Sequence, residues 1–222
     1  MSQTTPLLQS VAAWVVTLLV PVILVVAGVR LLMTPIFLEV EYRTPNFPED
    51  RYGMTLDERL RWSRASLVYL TEWRDQAYLE SLEFDDGTPI YNEREIRHVV
   101  DVQNVLRLIM QVWLLSIGLA VAGGIWAWLA DWWPAFLHAV GRGGLLTALL
   151  LGGGILFVLI AFGIFFVFFH QVFFQAGTWT FFYSDTLIRL FPERFWRDSF
   201  LVVGLFSGVS GLLLWYFLVR RG

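Results

Sequence analysis

The stretch GGLLTALLLGGGILFVLIAFGIFFVFFH, residues 143–170, decides the fold of this chain. From Gly143 to Phe169 it holds no Asp, Glu, Lys or Arg. It is longer than the roughly 20 residues an α-helix needs to cross a hydrocarbon core. Three other stretches share that property: residues 1–29 (apolar from Val11), Leu108–Ala130 and Ser199–Val219. Unpaired backbone polar groups cost several kcal/mol each in lipid, so spans of this kind form helices rather than open sheet. A buried core helix in a soluble protein would have to be invoked four times over. Composition agrees: of 222 residues, 57% are hydrophobic and only 16% are charged, far from the usage of a soluble domain. The fold class that follows is mainly α, a polytopic membrane protein with four transmembrane helices.

The same composition closes several chemical routes. There is no cysteine, which excludes a thiol nucleophile, a disulfide framework and a cysteine-borne lipid. All sixteen basic residues are Arg, so no Schiff base can form on a lysine. A net charge of −3 gives no sign of nucleic-acid binding. The first span has no basic segment ahead of it and no A-x-A-like site after it, and is read as a retained helix rather than a signal peptide.

Boundaries follow from the charge-free spans. We expect transmembrane helix 1 over 10–38 and a hydrophilic insert with the start of helix 2 over 39–103. Helix 2 then spans 104–130, a cytoplasmic loop 131–142, helix 3 143–170, an aromatic-rich extracytoplasmic loop 171–198 and helix 4 199–219. The insert is read as mostly helical. Thr55 and Glu58 make a capping box, and Leu56, Leu60, Leu67 and Leu70 fall near one helix face. A short helix is expected over Arg74–Leu82, ended by the turn DDGTP (85–89). Asn92 and Glu95 repeat the capping pattern at the start of a helix expected to run unbroken into span two. FLEVEY (37–42) reads as a short strand, and Ser184 as the cap of a helix DTLIRLF. Gly152–Gly154, inside a span, read as small residues that let helices pack closely.

Four spans place both termini on one side with the 131–142 loop, and the insert with the 171–198 loop on the other. The chain has three histidines, His98, His138 and His170. His98 precedes span two and His170 ends span three, so an antiparallel hairpin returns both to one face, whichever face is outside. His138 belongs to the opposite face, beside Trp132 and Trp133, and reads as an interfacial bystander. An isolated His170 is equally well an interfacial ring bridging lipid and headgroup, and an isolated His98 an ordinary solvated one. Two imidazoles at one depth, beside the only sizeable polar region, point instead to proton transfer near neutral pH. Glu95 and Asp101 are each three residues from His98, within reach of its ring on one helix face. A carboxylate there would orient the imidazole; the competing reading is a ladder of surface ion pairs such as Arg97 with Asp101. There is no G-x-S-x-G elbow, P-loop or H-E-x-x-H, and a metal site from His98, Asp101 and His170 has suitable donors but no favouring spacing.

NEREIRHVVDV (92–102), FHQVFFQAGTWTFFYSDTLIRLFPERFWRD (169–198) and FPEDRYGMTLDERL (47–60) together resemble the lipoprotein intramolecular transacylases, small bacterial four-span membrane proteins. The resemblance runs in order from about Phe37 to Asp198. It implies an acyltransferase that moves the sn-2 acyl chain of a diacylglyceryl lipoprotein to the α-amino group of its N-terminal cysteine. It implies His98 and His170 as the catalytic pair, no cofactor, and an insert facing outside the cytoplasm of a bacterial cell membrane. Membrane lipids are the other expected partner. For the oxyanion of such a reaction, Trp179, Arg189 or backbone N–H groups are the candidate donors. Two other readings of the residues stand beside it: a non-catalytic membrane subunit that binds a partner through the acidic insert, and a metal-dependent membrane hydrolase.

Overall fold

The computed structural model describes residues 7–220. In chain order its helices are α1 (Leu7–Leu32), α2 (Pro35–Tyr42), α3 (Leu56–Thr71), α4 (Gln76–Glu80), α5 (Glu93–Leu129), α6 (Trp133–Phe173), α7 (Thr186–Leu190) and α8 (Glu193–Trp215), with a π-helical turn over Tyr216–Arg220. Four of them, α1, α5, α6 and the α8 segment, are long and apolar enough to cross a membrane. They leave large apolar side chains such as Leu18, Leu114, Leu150, Ile160 and Leu213 exposed. In water such a surface would be a liability; against lipid tails it is the ordinary outer face of a span.

Several expected elements differ in the structure, each for a local reason. FLEVEY is helical, not a strand. Pro35 stands at the first helical position, Thr34 Oγ1 accepts a hydrogen bond from the Phe37 N–H at 3.2 Å, and Leu38 and Tyr42, four apart, face inward. A six-residue apolar alternation does not outweigh a Thr-Pro helix start. The 131–142 connection is not a loop. A turn at Asp131 (φ +56°) leads directly into α6, whose second residue is Pro134. Proline is tolerated there because a first-turn N–H has no intrahelical acceptor. His138 therefore lies on a helix. The short insert helix is trimmed to Gln76–Glu80 behind an Asp75 cap, and α7 begins after Asp185 rather than Ser184. Inside α6, Ala161 (φ −142°, ψ 48°) breaks the helical geometry.

The chain divides into two compact units, each with its own packing. The first comprises residues 1–29, 109–159 and 201–222. Here helices approach at small residues: a side chain at Gly144 would run into the Gly211 carbonyl, and one at Gly143 into Thr17 and Val20. Thr17 Oγ1 donates to the Ala139 carbonyl at 3.1 Å, Ser207 Oγ to that of Leu24 at 3.0 Å, and Trp113 Nε1 to that of Ile23 at 3.0 Å. Close approach plus interhelical hydrogen bonds is how spans associate where lipid supplies no hydrophobic drive. The expected role of Gly152–Gly154 is corrected: no neighbouring atom lies within 4 Å of where their Cβ atoms would sit.

The second unit comprises residues 30–108 and 160–200. Its core joins the insert to the start of α5 and to α7, through Trp62, Tyr69, Leu79, Ile90, Ile96, Val99 and Leu190. A smaller cluster, Leu38, Tyr42, Leu60 and Phe195, packs α2 and α3 against the start of α8. Two buried polar side chains are satisfied by backbone carbonyls: Tyr42 Oη donates to that of Leu190 at 2.7 Å, and Gln103 Nε2 to those of Tyr69 and Arg74. The predicted capping box at Thr55 and Glu58 is formed, as is the turn ending in the Glu83–Pro89 bridge.

Glu41 is a side chain that is not fully satisfied. It is buried, and its Oε1 has no hydrogen-bond partner. Burial, and then the neighbouring Asp198 carboxylate, push its pKa up to about 7, against the pull of Arg194. A raised folded-state value means that the Glu41 contribution to stability is complete below the unfolded carboxyl pKa and is lost as pH rises through about 7. Thermal unfolding in detergent should therefore show Glu41→Gln more stable than wild type above pH 7, with the gap closing toward pH 5. Equal pH dependence of the two proteins would contradict this.

Candidate active site

The site is built from the first turns of α5 and the last turns of α6, both within the second unit. At the start of α5 the helix is closed by reciprocal hydrogen bonds. The Glu95 N–H donates to Asn92 Oδ1 at 3.1 Å, and the Asn92 N–H donates to Glu95 Oε2 at 2.8 Å. One turn later stands His98, 6% exposed, and on α6 stands His170, 9% exposed. Their ring centroids are 6.1 Å apart and their planes differ by 19°. Histidines seventy-two positions apart thus meet at one place, as the helix hairpin requires.

Aromatic rings enclose the pair. Phe174 lies 4.9 Å from His98 and 5.5 Å from His170. Phe181 covers His98 at 5.3 Å, and Trp179 and Phe166 cover His170 at 5.0 and 4.1 Å. His170 Nδ1 lies 2.8 Å from the Phe166 carbonyl oxygen. That oxygen can only accept, so the proton of the neutral ring sits on Nδ1 and the lone pair on Nε2. His98 Nδ1 is buried with no hydrogen-bond partner among the described residues, and so is Trp179 Nε1. Two imidazoles without a direct hydrogen bond between them, and an indole N–H with nothing to donate to, leave polar positions for a bound group to fill.

The expected orienting carboxylates do not reach His98. Glu95 is almost fully buried, but its second oxygen, Oε1, accepts from the Leu187 N–H at 2.7 Å. A charged acceptor is better satisfied by two backbone donors at helix starts than by a ring three residues away. The Asp101 side chain makes no hydrogen bond or ion pair among the described residues, and neither does that of Arg97, so the alternative ion-pair ladder is not formed either. Nor do three or more His, Cys, Asp or Glu side chains converge among the described residues, so the donor set for a His98–Asp101–His170 metal site is not assembled.

Arg189 is also placed differently from the expectation of a free anion-binding group. It forms a bidentate pair with Asp50, Nε to Oδ1 at 3.1 Å and Nη2 to Oδ2 at 2.9 Å. Asp50 Oδ2 also accepts from the N–H groups of Met54 (2.7 Å) and Tyr52 (3.2 Å). Trp179, by contrast, has its ring 5.0 Å from that of His170. The sequence reading missed Phe174, Phe181 and the pairing of Arg94 with Asp185 at 2.5 Å. Phe174, four residues after His170, was recoverable from helical spacing; no local signal marks Phe181 or the Asp185 contact.

A four-span helical membrane protein with a buried histidine pair is the class that fold and site define. The family model of lipoprotein intramolecular transacylase Lit matches residues 12–196, and the chain belongs to that membrane-integral enzyme family. It is 30% identical over 208 residues to an uncharacterised protein of Aquifex aeolicus (strain VF5), with 93% of each chain covered. Among solved structures it resembles the in meso structure of the membrane-integral Lit from Bacillus cereus, with a TM-score of 0.78 and 25% identity over 96% of this chain and 97% of that one. Two variants of the Bacillus cereus protein, with one histidine replaced by arginine or by alanine, each match with a TM-score of 0.73 and 26% identity. Those alignments cover 96% of this chain and 93% and 94% of theirs.

Burial alone raises the Asp50 carboxyl, but hydrogen bonds from Arg189 and the Met54 N–H outweigh it and hold the pKa below the ordinary range. A lowered value contributes stability at neutral pH that is lost as pH falls through the folded-state pKa. Asp50→Asn leaves Arg189 without its counter-charge. It should cost about 3–5 kcal/mol at pH 7, shrinking in acid, by denaturant unfolding of the detergent-solubilised protein. A loss that stays constant down to pH 3 would contradict the ion-pair account.

Proposed function

We propose that the protein transfers the sn-2 acyl chain of a diacylglyceryl lipoprotein to the α-amino group of that lipoprotein's N-terminal cysteine, leaving a lyso-form product. His98 and His170 are its acid–base pair. The observation that carries the reading is the near-parallel pair 6.1 Å apart inside an aromatic enclosure, with the His170 Nε2 lone pair free by virtue of the Phe166 contact. Family membership supplies the lipoprotein as the substrate class.

The chemistry matches what these residues offer. The donor is an oxygen ester and the product an amide, so the transfer runs downhill with no activating group. As the amine nitrogen attacks the ester carbonyl, its N–H proton passes to His170 Nε2. The tetrahedral intermediate then collapses, the bond from carbonyl carbon to the glycerol sn-2 oxygen breaks, and that oxygen takes up a proton. One proton leaves nitrogen and one arrives on oxygen, so acid–base relay by imidazoles is the whole requirement. His98 completes the relay at the leaving oxygen. The unpartnered N–H of Trp179 serves as donor to the oxyanion. Donor and acceptor belong to one molecule, which removes most of the entropic barrier of bringing them together. The phenylalanines of α6 that flank His170, Phe165, Phe166 and Phe169, offer the apolar wall an acyl chain needs.

Expression in a strain without this activity, followed by mass spectrometry of a reporter lipoprotein's N-terminus, tests the reading. Wild type should yield the lyso form, and single His98→Ala or His170→Ala variants should lose at least about 10²-fold in rate. Full acyl migration by the double variant, or none by wild type, would sink it. We place the site at the extracytoplasmic face of the cell membrane. Since the chain has no cysteine of its own, Tyr183→Cys on the exposed loop gives a single label site. It should react with a membrane-impermeant maleimide in intact cells; protection until lysis would reverse the orientation.

A further inference from the structure

The loop between α6 and α7 brings Trp179 and Phe181 onto the two histidine rings, yet between Phe173 and Thr186 it has no regular secondary structure of its own. Its far end is gripped by the first turn of α5. Glu95 Oε1 accepts from the Leu187 N–H at 2.7 Å. Arg94 Nη2 and Asn92 Nδ2 donate to the two oxygens of Asp185, at 2.5 and 3.2 Å. Asp185 in turn accepts from the Phe182 N–H at 2.8 Å. The Arg94 guanidinium also lies over the Phe182 ring at 4.9 Å and that of Phe181 at 5.6 Å.

Within this clasp Glu95 is the buried member, 2% exposed, and its two oxygens serve two helix starts: Oε2 its own, Oε1 that of α7. It stands one turn before His98 on the same helix but does not hydrogen-bond to it, since His98 Nδ1 has no partner. We propose that Glu95 is a positioning residue for acyl transfer, holding the 174–187 loop so that Trp179 and Phe181 stay registered on the histidine pair. It acts through the loop and handles no proton. This inference rests on the reading of the site given above.

Removing the carboxylate leaves the Leu187 N–H at a partly buried helix start without its acceptor and releases the loop from the helix that carries His98. A displacement of about 1 Å at a catalytic group can lower a rate by about 10²-fold. In mixed micelles with a diacylglyceryl lipopeptide, Glu95→Ala should lower kcat by about that factor, with the shape of the pH–rate profile unchanged. Glu95→Gln retains the side-chain volume and a carbonyl that can accept from Leu187. It should recover most of the rate, which keeps the test sound if the alanine variant folds poorly. In a Trp179→Phe background, adding Glu95→Ala should cost less than about threefold more, because neighbours acting through one element are non-additive. Hydrogen exchange followed by mass spectrometry should show faster exchange over 175–187 in Glu95→Ala and none over 56–71.

Multiplicative losses in the double variant, a shifted pH profile or unchanged exchange over the loop would each overturn the tether. A wild-type protein that moves no acyl chain would overturn the reading of the site instead, and the exchange result would still decide whether Glu95 holds the loop.

Discussion

Lipid leaves no partner for an unpaired peptide group, and the rest of this structure follows from that constraint. It turns four apolar stretches into helices and makes consecutive spans run in opposite directions. A residue that opens one span must then share a depth with a residue that closes the next. His98 opens α5 and His170 closes α6, so their meeting at 6.1 Å is set by the hairpin rather than by any local attraction between imidazoles.

The helix ends next to that meeting point show the same demand in its polar form. The first N–H groups of a helix have no acceptor within it, and in the second unit side chains supply them. Thr55 and Glu58 cap α3, Asn92 and Glu95 cap α5, and Glu95 reaches across to α7. Asp50 does the same for the Tyr52 and Met54 N–H groups while anchoring Arg189. Glu95, a carboxylate that looked like a candidate for chemistry, is spent on backbone donors. Among the groups left without partners are the His98 ring nitrogen and the Trp179 indole N–H, on the aromatic enclosure itself.

That division of labour suits acyl transfer. Arg94 with Asp185, and Arg189 with Asp50, are tied up as ion pairs. Rings of Phe166, Phe174, Phe181 and Trp179 surround the imidazoles, a setting compatible with an ester and its chains and low in competing water. Proton donors and acceptors of matched strength are what such a reaction needs.

The sequence by itself determined the four spans, the long α5 running from its Asn92–Glu95 cap, the capping box of α3 and the assignment of His98 and His170 to one face. Each rests on a short-range rule, either length in lipid or the need of a helix start for an acceptor, and neither depends on what packs around it. It misread FLEVEY, where six residues fit two periods until Thr34 and Pro35 start a helix. It misread residues 131–142, where Asp131 and Arg142 bound the charge-free spans on either side and so suggested a loop. The contacts expected of Glu95 and Arg189 differ in the structure for another reason. Spacing says which groups are within reach of one another along a helix, but a carboxylate chooses among all the donors that folding brings to it. The Leu187 N–H lies 92 residues from Glu95, and Asp50 lies 139 from Arg189. Only the tertiary structure sets those competitions, and with them which polar groups beside the histidines are left free.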